Sequence, residues 1–396
     1  MEIRLLTLDD HVASFRLGAE AFGSPPYPVE VPPAPTSLPV GREVWGAFDG
    51  DTLVARVAAH SYESWWHGAR VPTCGIAGVA VAPEARGQGL LLPLFEATLG
   101  AAAERGEALS TLFPTANGIY RSLGYELVSS YDTVVVPTAE LAGVRPPGGV
   151  RTRRATVADV PALKAVYDAW AAAQNGPLTR TGPRFATTDQ ELVDGVTAVS
   201  LAVDEQNAVV GYAIWDRGEG YDPTTAALEV HDLVAVSADG YRALWRMLGT
   251  HTSVAGRIRL DTSGEDPARL VLPTATWDVV GRHPYMLRVS DPAAALTGLV
   301  SPGIHAEIGF AVAGDRLRTA DDAYVLTVGD DPSVCERTTD GGDVATFTPQ
   351  GLALAYAGAQ SCANLRMTGH LSGPTTHDAA LDALLGRRPL HIRDYF

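Results

Sequence analysis

The chain has 396 residues, of which 46% are hydrophobic and 19% are charged, a balance typical of folded proteins rather than disordered ones. Its 46 acidic residues outnumber its 30 basic residues, and the formal charge of −16 would repel nucleic-acid phosphates and anionic lipid surfaces. We therefore expect neither nucleic acid nor a membrane as a partner, and the length favours two or three domains.

The three cysteines do not indicate a set of disulfide bonds. Cys74, Cys335 and Cys362 are odd in number and widely spaced, so we expect buried thiols, with neither disulfides nor a metal site. The N-terminus is acidic where a signal peptide would be basic, and no run of about 18 apolar residues occurs. These features predict a cytoplasmic protein.

Strands and helices are predicted from the first residues onward. A polar cluster at residues 7–10 precedes an apolar-periodic helix, and Asp49 and Gly50 mark the turn of a hairpin. A proline-rich stretch at residues 24–39 predicts a long surface loop. In this part of the chain we predict strands at residues 2–6, 43–48, 51–62 and 70–82, and helices at residues 11–22 and 90–104.

The same order of elements returns later in the chain. Thr156 and Asp159 repeat the spacing of Thr7 and Asp10, which indicates an internal duplication. A Pro/Gly-rich segment at residues 142–149 has the composition of a linker between the two copies. In the second copy we predict strands at residues 150–154, 200–203, 209–215 and 228–236, and helices at residues 161–172 and 240–251.

The last hundred or so residues show a different pattern of predicted elements. They alternate short strand patterns with helical ones, a mixture that predicts an α+β domain. The predicted strands are at residues 305–311, 324–328 and 344–348, and the predicted helices are at residues 349–357 and 377–385.

The segment most informative about chemistry is residues 78–95. A buried strand pattern ends at Pro83, a loop with Arg86, Gly87 and Gly89 follows, and a helix begins near Leu90. A glycine-containing loop at a helix N-terminus presents free backbone N–H groups to an anion, and an arginine adds charge-assisted hydrogen bonds. An ordinary strand-to-helix turn is the alternative for this motif taken singly.

Two segments together resemble one family. The sequence GVAVAPEARGQGLL at residues 78–91 and NGIYRSLGY at residues 117–125 look like the motifs of the Eis family of GNAT N-acetyltransferases. The resemblance implies an α/β fold with tandem GNAT domains, the second degenerate, followed by an α+β domain like sterol carrier protein 2. The implied domains are residues 1–142, 150–290 and 291–396.

The resemblance also implies roles for individual residues. Tyr120 would be the general acid, with Tyr125 a packing residue, and the terminal carboxylate of Phe396 would be the base. Asp394 or a glutamate could share that second role. The residues implied to bind acetyl-CoA are Val79, Val81, Arg86, Gly87, Gln88, Gly89, Leu90, Leu91 and Asn117.

The second copy lacks the phosphate loop. Residues 234–242 hold one glycine, Gly240, and an acid, Asp239, where a phosphate would lie. We therefore expect acetyl-CoA to bind the first copy only. None of the ten histidines has the HxxxH or HExxH spacing of a metal site, and no serine lies in a GxSxG motif, so hydrolase chemistry has no support from motifs.

The resemblance implies a small-molecule amine as the acceptor and a homo-oligomer, a hexamer, as the assembly. Family members acetylate aminoglycosides and other amines in a large acidic cavity, but Gly23 and Ser24 stand where relatives often carry an acid. Glu20 and Glu30 are candidates for recognising a cation. A transferase that uses a longer acyl-CoA and a non-catalytic ligand-binding scaffold remain alternatives.

Overall fold

A computed structural model of the chain describes residues 1–23, 30–264, 266–273, 276–301, 303–339 and 342–396. Part of the predicted proline-rich loop, residues 24–29 with Ser24, lies outside these ranges. Within them, no helix combines the length and the apolar character that crossing a bilayer requires.

The first part of the chain follows the predicted order closely. Its elements are β1 (Glu2–Leu5), α1 (His11–Phe22), β2 (Arg42–Asp49), β3 (Thr52–Trp66), β4 (Ala69–Val81), α2 (Leu91–Glu104), β5 (Leu109–Leu112), α3 (Asn117–Arg121) and β6 (Glu126–Pro137). Alternate residues of β3, such as Ala55 and Val57, are fully buried and share a core with Leu94 and Phe95 of α2. This period of two places the intervening side chains of β3 on the opposite face, toward α1.

The predicted duplication is confirmed, because the second part repeats this order. Its elements are β7 (Arg151–Arg154), α4 (Val160–Ala171), α5 (Asp189–Asp194), β8 (Ala198–Val203), β9 (Val209–Arg217), β10 (Ala227–Ala235), α6 (Ala238–Gly249), β11 (Arg257–Thr262), α7 (Ala268–Val271) and β12 (Asp278–Val289). The copies agree even in single hydrogen bonds. Asp10 accepts from Thr7 and pairs with Arg4 at 2.7 Å, as Asp159 accepts from Thr156 and pairs with Arg153 at 2.6 Å.

The two copies exchange one strand each, which the sequence did not predict. A twelve-stranded sheet has the order β1-β2-β3-β4-β5-β12-β6-β11-β10-β9-β8-β7. Thus β12, from the end of the second copy, lies between β5 and β6 of the first, and β6 in turn pairs with β11 of the second. The copies are separate in the sequence, but each completes the sheet of the other.

The third part adds a second sheet and a layer of helices. Its elements are α8 (Pro292–Leu296), β13 (Ala306–Val312), β14 (Asp322–Val328), β15 (Val334–Thr338), β16 (Ala345–Phe347), α9 (Pro349–Tyr356), α10 (Cys362–Met367), β17 (Leu371–Ser372) and α11 (Asp378–Leu385). The five strands form a sheet in the order β15-β14-β13-β16-β17. Its core is continuous with Leu109 of β5 and Leu287 of β12, so this part packs directly against the exchanged strands.

A buried ion network fixes the last residues of the chain. Asp232 of β10 accepts from Arg393 at 2.7 Å and from Arg180 at 2.6 Å, and Tyr212 donates to the same carboxylate at 2.7 Å. Burial disfavours the ionised carboxylate, but the two guanidinium groups and the hydroxyl outweigh it and hold the pKa of Asp232 well below its usual range. Arg180 also bonds Asp394 at 2.8 Å. The second copy therefore determines where the C-terminal segment runs.

We expect Asp232→Asn to destabilise the protein and loosen its C-terminal segment. Removing one charge from a buried pair costs about 3–5 kcal/mol, because the partner stays buried without compensation. Urea unfolding measures the first effect, and the rate at which a carboxypeptidase removes Phe396 measures the second.

The control for this prediction is Glu229→Gln on the same strand, whose ion pair with Arg259 is longer, 3.5 Å, and partly exposed. An exposed pair of this kind contributes about 1 kcal/mol or less. Equal losses of stability in the two variants would contradict the importance of the network.

Candidate active site

An irregularity in β4 opens the sheet at the predicted site. β4 pairs with β5 only from Thr73 to Ile76, which lies opposite the last residue of β5, Leu112. Beyond that point β4 continues to Val81 with β3 on one side only, and its register with β3 shifts at a bulge that includes Gly78, with φ +55°. The backbone of Val79 and Val81 is therefore accessible from the side where β5 has ended.

The loop that follows β4 has the backbone geometry of an anion site. Gly87 and Gly89 have φ +79° and +74°, values that favour glycine, and a Cβ at either would meet no atom within 4 Å. No side chain caps the N-terminus of α2, so the N–H groups of Leu91 and Leu92 in its first turn are available to a ligand. Both features fit a pyrophosphate, which needs close approach of the backbone.

A cavity of about 840 Å³ connects this loop with the bulge. Of the residues predicted from the sequence, it is lined by Val79, Val81, Arg86, Gly87, Gly89, Leu90, Leu91 and Tyr120. Gln88 lies outside the lining, and its amide donates to the carbonyl of Glu84 at 3.2 Å. Asn117 is the first residue of α3 and follows Ala116, which lines the cavity.

The two tyrosines of the second motif differ in their surroundings. Tyr125 is fully buried, and its hydroxyl lies 2.6 Å from the hydroxyl of Ser110. Tyr120 lines the cavity, and no hydrogen bond joins its hydroxyl to another described residue. Burial raises the pKa of Tyr120 above its ordinary value, so this phenol holds its proton at neutral pH. Tyr120 can donate a proton to a ligand, whereas Tyr125 is committed to packing.

Phe396 packs against β4 at Gly75, three residues before Gly78 of the bulge. Its ring is half-buried, 5.1 Å from the ring of Tyr62 and 5.4 Å from that of Phe113, and it covers Gly75, where a Cβ would clash with it. Tyr395 packs on Phe113 with ring centroids 4.4 Å apart. Asp394 is tied to Arg180, and burial raises its pKa. The terminal residues thus reach the first copy from their anchor on the second.

The equivalent turn of the second copy is closed. Only Val236 separates β10 from Ser237, whose hydroxyl caps α6 by accepting from the N–H of Gly240 at 3.0 Å. Asp239 accepts from the N–H of Gly148 and pairs with Arg242. The N-terminus of α6 is thus capped by a side chain of the protein itself, whereas the N-terminus of α2 in the first copy has no such cap.

Sequence reasoning did not bring together a group of residues that lies beside Phe396. His60 of β3 lies opposite Arg42 of β2 and Gly75 of β4 in the strand register. Arg184 reaches them from the second copy, where Pro183 packs on Gly41. The segment before Arg184 is held to β3 by hydrogen bonds between backbones, such as Trp65 N–H to the carbonyl of Pro177 at 2.8 Å. No local motif marks these residues, because they meet only after the copies have docked.

A family model described as an acetyltransferase (GNAT) domain matches residues 2–128, and a second model of the same description matches residues 176–289. The N-acetyltransferase Eis of Mycobacterium tuberculosis is 28% identical over 318 residues, 76% of this chain and 74% of its own. An uncharacterised N-acetyltransferase of Streptomyces griseus is 28% identical over 370 residues, 87% of each chain. The chain belongs to the Eis family of GNAT N-acetyltransferases.

Solved structures agree with this assignment. A GCN5-related N-acetyltransferase from Kribbella flavida superposes with a TM-score of 0.80 at 28% identity, covering 100% of this chain and 98% of its own. Eis1 from Mycobacterium abscessus, at 22% identity and a TM-score of 0.74, shares the fold over the whole of both chains. GNAT acetyltransferases use acetyl-CoA, so an acyl-CoA site is the expected chemistry of this family.

Proposed function

We propose that this GNAT-family chain transfers an acetyl group from acetyl-CoA to an amine of a small molecule by direct attack of the amine. The observation that carries the proposal is a single cavity that joins the open N-terminus of α2, the free backbone of Val79 and Val81, and the hydroxyl of Tyr120. Acetyl-CoA would supply the activated acetyl group. The closed turn at Ser237 supports the first copy as the site of binding.

Each group in this cavity has a proposed task. The loop with Arg86, Gly87 and Gly89 would hold the pyrophosphate, and the backbone of Val79 would donate a hydrogen bond to the thioester oxygen. Tyr120 would give its proton to the leaving thiolate, because burial raises the pKa of this phenol and it therefore still carries its proton when the thiolate forms. The nitrogen loses a proton as the new amide bond forms.

The base that takes the proton is the carboxylate of Phe396, as the resemblance implies. The reference pKa of a terminal carboxyl is only about 3.5, so the group is a weak base that benefits from burial or a relaying water. Its half-buried ring on Gly75 supports a position near β4. Asp394 could share this role, because burial raises its pKa even though its bond to Arg180 opposes proton uptake.

We extend the proposal to the organisation of the chain. The segments 1–142, 150–290 and 291–396 would be the catalytic GNAT domain, the degenerate GNAT domain and a domain like sterol carrier protein 2. The sheet of β13–β17, backed by α9–α11, supports an α+β unit in the third segment. A hexamer follows from the resemblance alone.

We expect Gly89→Asp to weaken CoA binding roughly 100-fold or more. Like charges ~4 Å apart repel by about 4 kcal/mol at an effective dielectric constant of about 20. Isothermal titration with CoA measures the loss. The matched control is Gly106→Asp beyond the other end of α2, since that glycine has φ +76° and equally open surroundings, and the strain of about 1–3 kcal/mol is therefore shared.

If Gly106→Asp lost CoA binding to the same degree, the phosphate loop would be wrongly assigned. Gly240 of the second copy is unsuited as a control, because a Cβ there would lie 3.0 Å from the carbonyl oxygen of Val210. An aspartate at that position would disturb packing whether or not CoA binds.

We expect Tyr120→Phe and Tyr125→Phe to have opposite effects. Loss of a general acid lowers kcat by roughly 10²- to 10⁴-fold, whereas the stability of Tyr120→Phe should hardly change because its hydroxyl has no hydrogen-bond partner among the described residues. Tyr125→Phe leaves the hydroxyl of Ser110 without this partner and should cost about 1 kcal/mol of stability, with kcat nearly retained. Steady-state kinetics and urea unfolding of both variants measure the two effects, and the reverse ranking would exchange the roles.

We expect one glycine added after Phe396 to lower kcat strongly while CoA affinity and stability stay unchanged. The addition keeps the aromatic ring and its contacts but moves the carboxylate away by one residue, about 3.5 Å. A glycine added before Met1 is the control. Full activity of the extended chain would show that the base is a side chain.

A further inference from the structure

The face of the sheet toward α1 carries three arginines without an acidic partner in the part of the chain that the structure describes. Arg42 of β2, Arg56 of β3 and Arg184 of the segment after α4 form what we call the arginine cluster. Among the described residues, no carboxylate lies within 4 Å of any of the three guanidinium groups.

The members of the cluster are neighbours across the strands. Arg42 lies opposite His60 in the register of β2 and β3, and Arg56 lies four residues earlier on the same face of β3. The positive charges act on one another: burial and then Arg184 lower the pKa of Arg42, and burial and then Arg42 lower that of Arg56. Three like charges are thus held together in a partly desolvated region.

The cluster borders a cavity of about 830 Å³ between α1, β1 and β2. Arg42 and Arg56 line this cavity together with Asp10 and Glu43. Both acids are already neutralised, since Asp10 pairs with Arg4 at 2.7 Å and Glu43 with Arg105 at 2.8 Å. The uncompensated charge that faces the cavity is therefore positive.

Several buried polar atoms beside the cluster lack a partner in the described structure. They are the Nδ1 of His60, the Nε of Arg56 and the Nε of Arg184. His60 is only 6% exposed, and burial, followed by Arg184 and Arg42, lowers its pKa to about 4. Burying polar groups without partners is costly, and an anion that enters the cluster would supply the missing acceptors.

The cluster lies next to the proposed reaction site. His60 is opposite Gly75, which the ring of Phe396 covers, and the ring centroids of His60 and Phe396 are 6.5 Å apart. The guanidinium of Arg56 occupies the space where a Cβ at Gly18 would lie and comes within 3.7 Å of the Cβ position at Gly78, in the bulge. A molecule held by the cluster can therefore extend toward Val79.

We propose that the arginine cluster binds an anionic group, a carboxylate or a phosphate, of the amine acceptor. The proposal rests on the proposed acetyl transfer and specifies its acceptor: a small molecule with both an amine and an anion. Guanidinium groups bind carboxylates and phosphates through paired hydrogen bonds. Polycationic amines such as aminoglycosides would be repelled by the same three charges.

The experiment compares acceptors that differ only in the anion. α-Amino acids are paired with their carboxamides, glucosamine 6-phosphate is paired with glucosamine, and a polycationic aminoglycoside is included. For the wild type we expect kcat/KM to favour the anionic member of at least one pair by about tenfold or more, as for loss of a charged hydrogen bond. The carboxylate and phosphate pairs distinguish the two sources of the anion.

The variants are Arg184→Gln and Arg42→Gln, and the control is Arg16→Gln on the solvent side of α1. We expect the first two to raise KM for the anionic acceptors by roughly 10- to 100-fold while kcat and the uncharged acceptors change little. The control removes the same charge from the same region and should leave the preference intact. The proposal would be overturned if the wild type used charged and uncharged acceptors equally well. It would also be overturned if the two variants raised the Kd for CoA and left the KM for the acceptor unchanged.

A binding measurement separates this proposal from the acetyl transfer itself. The thermal unfolding temperature of each protein is measured with inorganic phosphate and with each amino acid. We expect these anions to raise it for the wild type and for Arg16→Gln, but not for Arg184→Gln. If no amine is acetylated but this pattern holds, the reaction is wrongly assigned and the anion site stands. If amines are acetylated but no anion stabilises the wild type, the anion site is wrong.

Discussion

The carboxylate of Asp232 connects the parts of the molecule that the candidate site needs. It binds Arg393 near the end of the chain and Arg180 at the start of the segment that carries Arg184. Because Asp232 and Arg393 are buried and the side chain of Arg180 is only 25% exposed, removing any one of the three would leave an uncompensated charge largely out of water. The segment with Arg184 and the segment with Phe396 are therefore held at fixed points relative to β10, and both extend from there over the sheet of the first copy.

This arrangement gives the second copy a structural role. Its own helix N-terminus is capped by Ser237, but it contributes β12 to the sheet beside β5 and anchors the C-terminal segment. The first copy lacks a complete sheet when β12 is removed, since β5 and β6 would then have no common neighbour. Duplication followed by strand exchange thus turned one copy into a support for the site of the other.

The sequence predicted local structure well but not how the two copies pack together, because contacts between distant segments leave no local signal. α1 was predicted at residues 11–22 and is observed at His11–Phe22, because capping and helical period are local signals. Gly87 and Gly89 in the loop after β4 were likewise predicted from a local motif. β12 was not, since Gly281 and Pro284 interrupt its strand pattern and its partners lie about 150 residues away. Arg184 lies in a loop without a motif, so its place opposite Gly41 depends on tertiary contacts alone.

The net charge of the whole chain does not predict the charge at the candidate site. The formal charge of −16 favours cationic partners, but charges in water are screened over a Debye length of about 8 Å at physiological salt. Groups that are partly removed from water are screened much less, so a few desolvated arginines outweigh many exposed carboxylates at the point of contact. Asp10 and Glu43 border the cavity, yet their charges are already used by Arg4 and Arg105. A molecule that entered this cavity would meet the charges that have no acidic partner among the described residues, which are those of Arg42, Arg56 and Arg184.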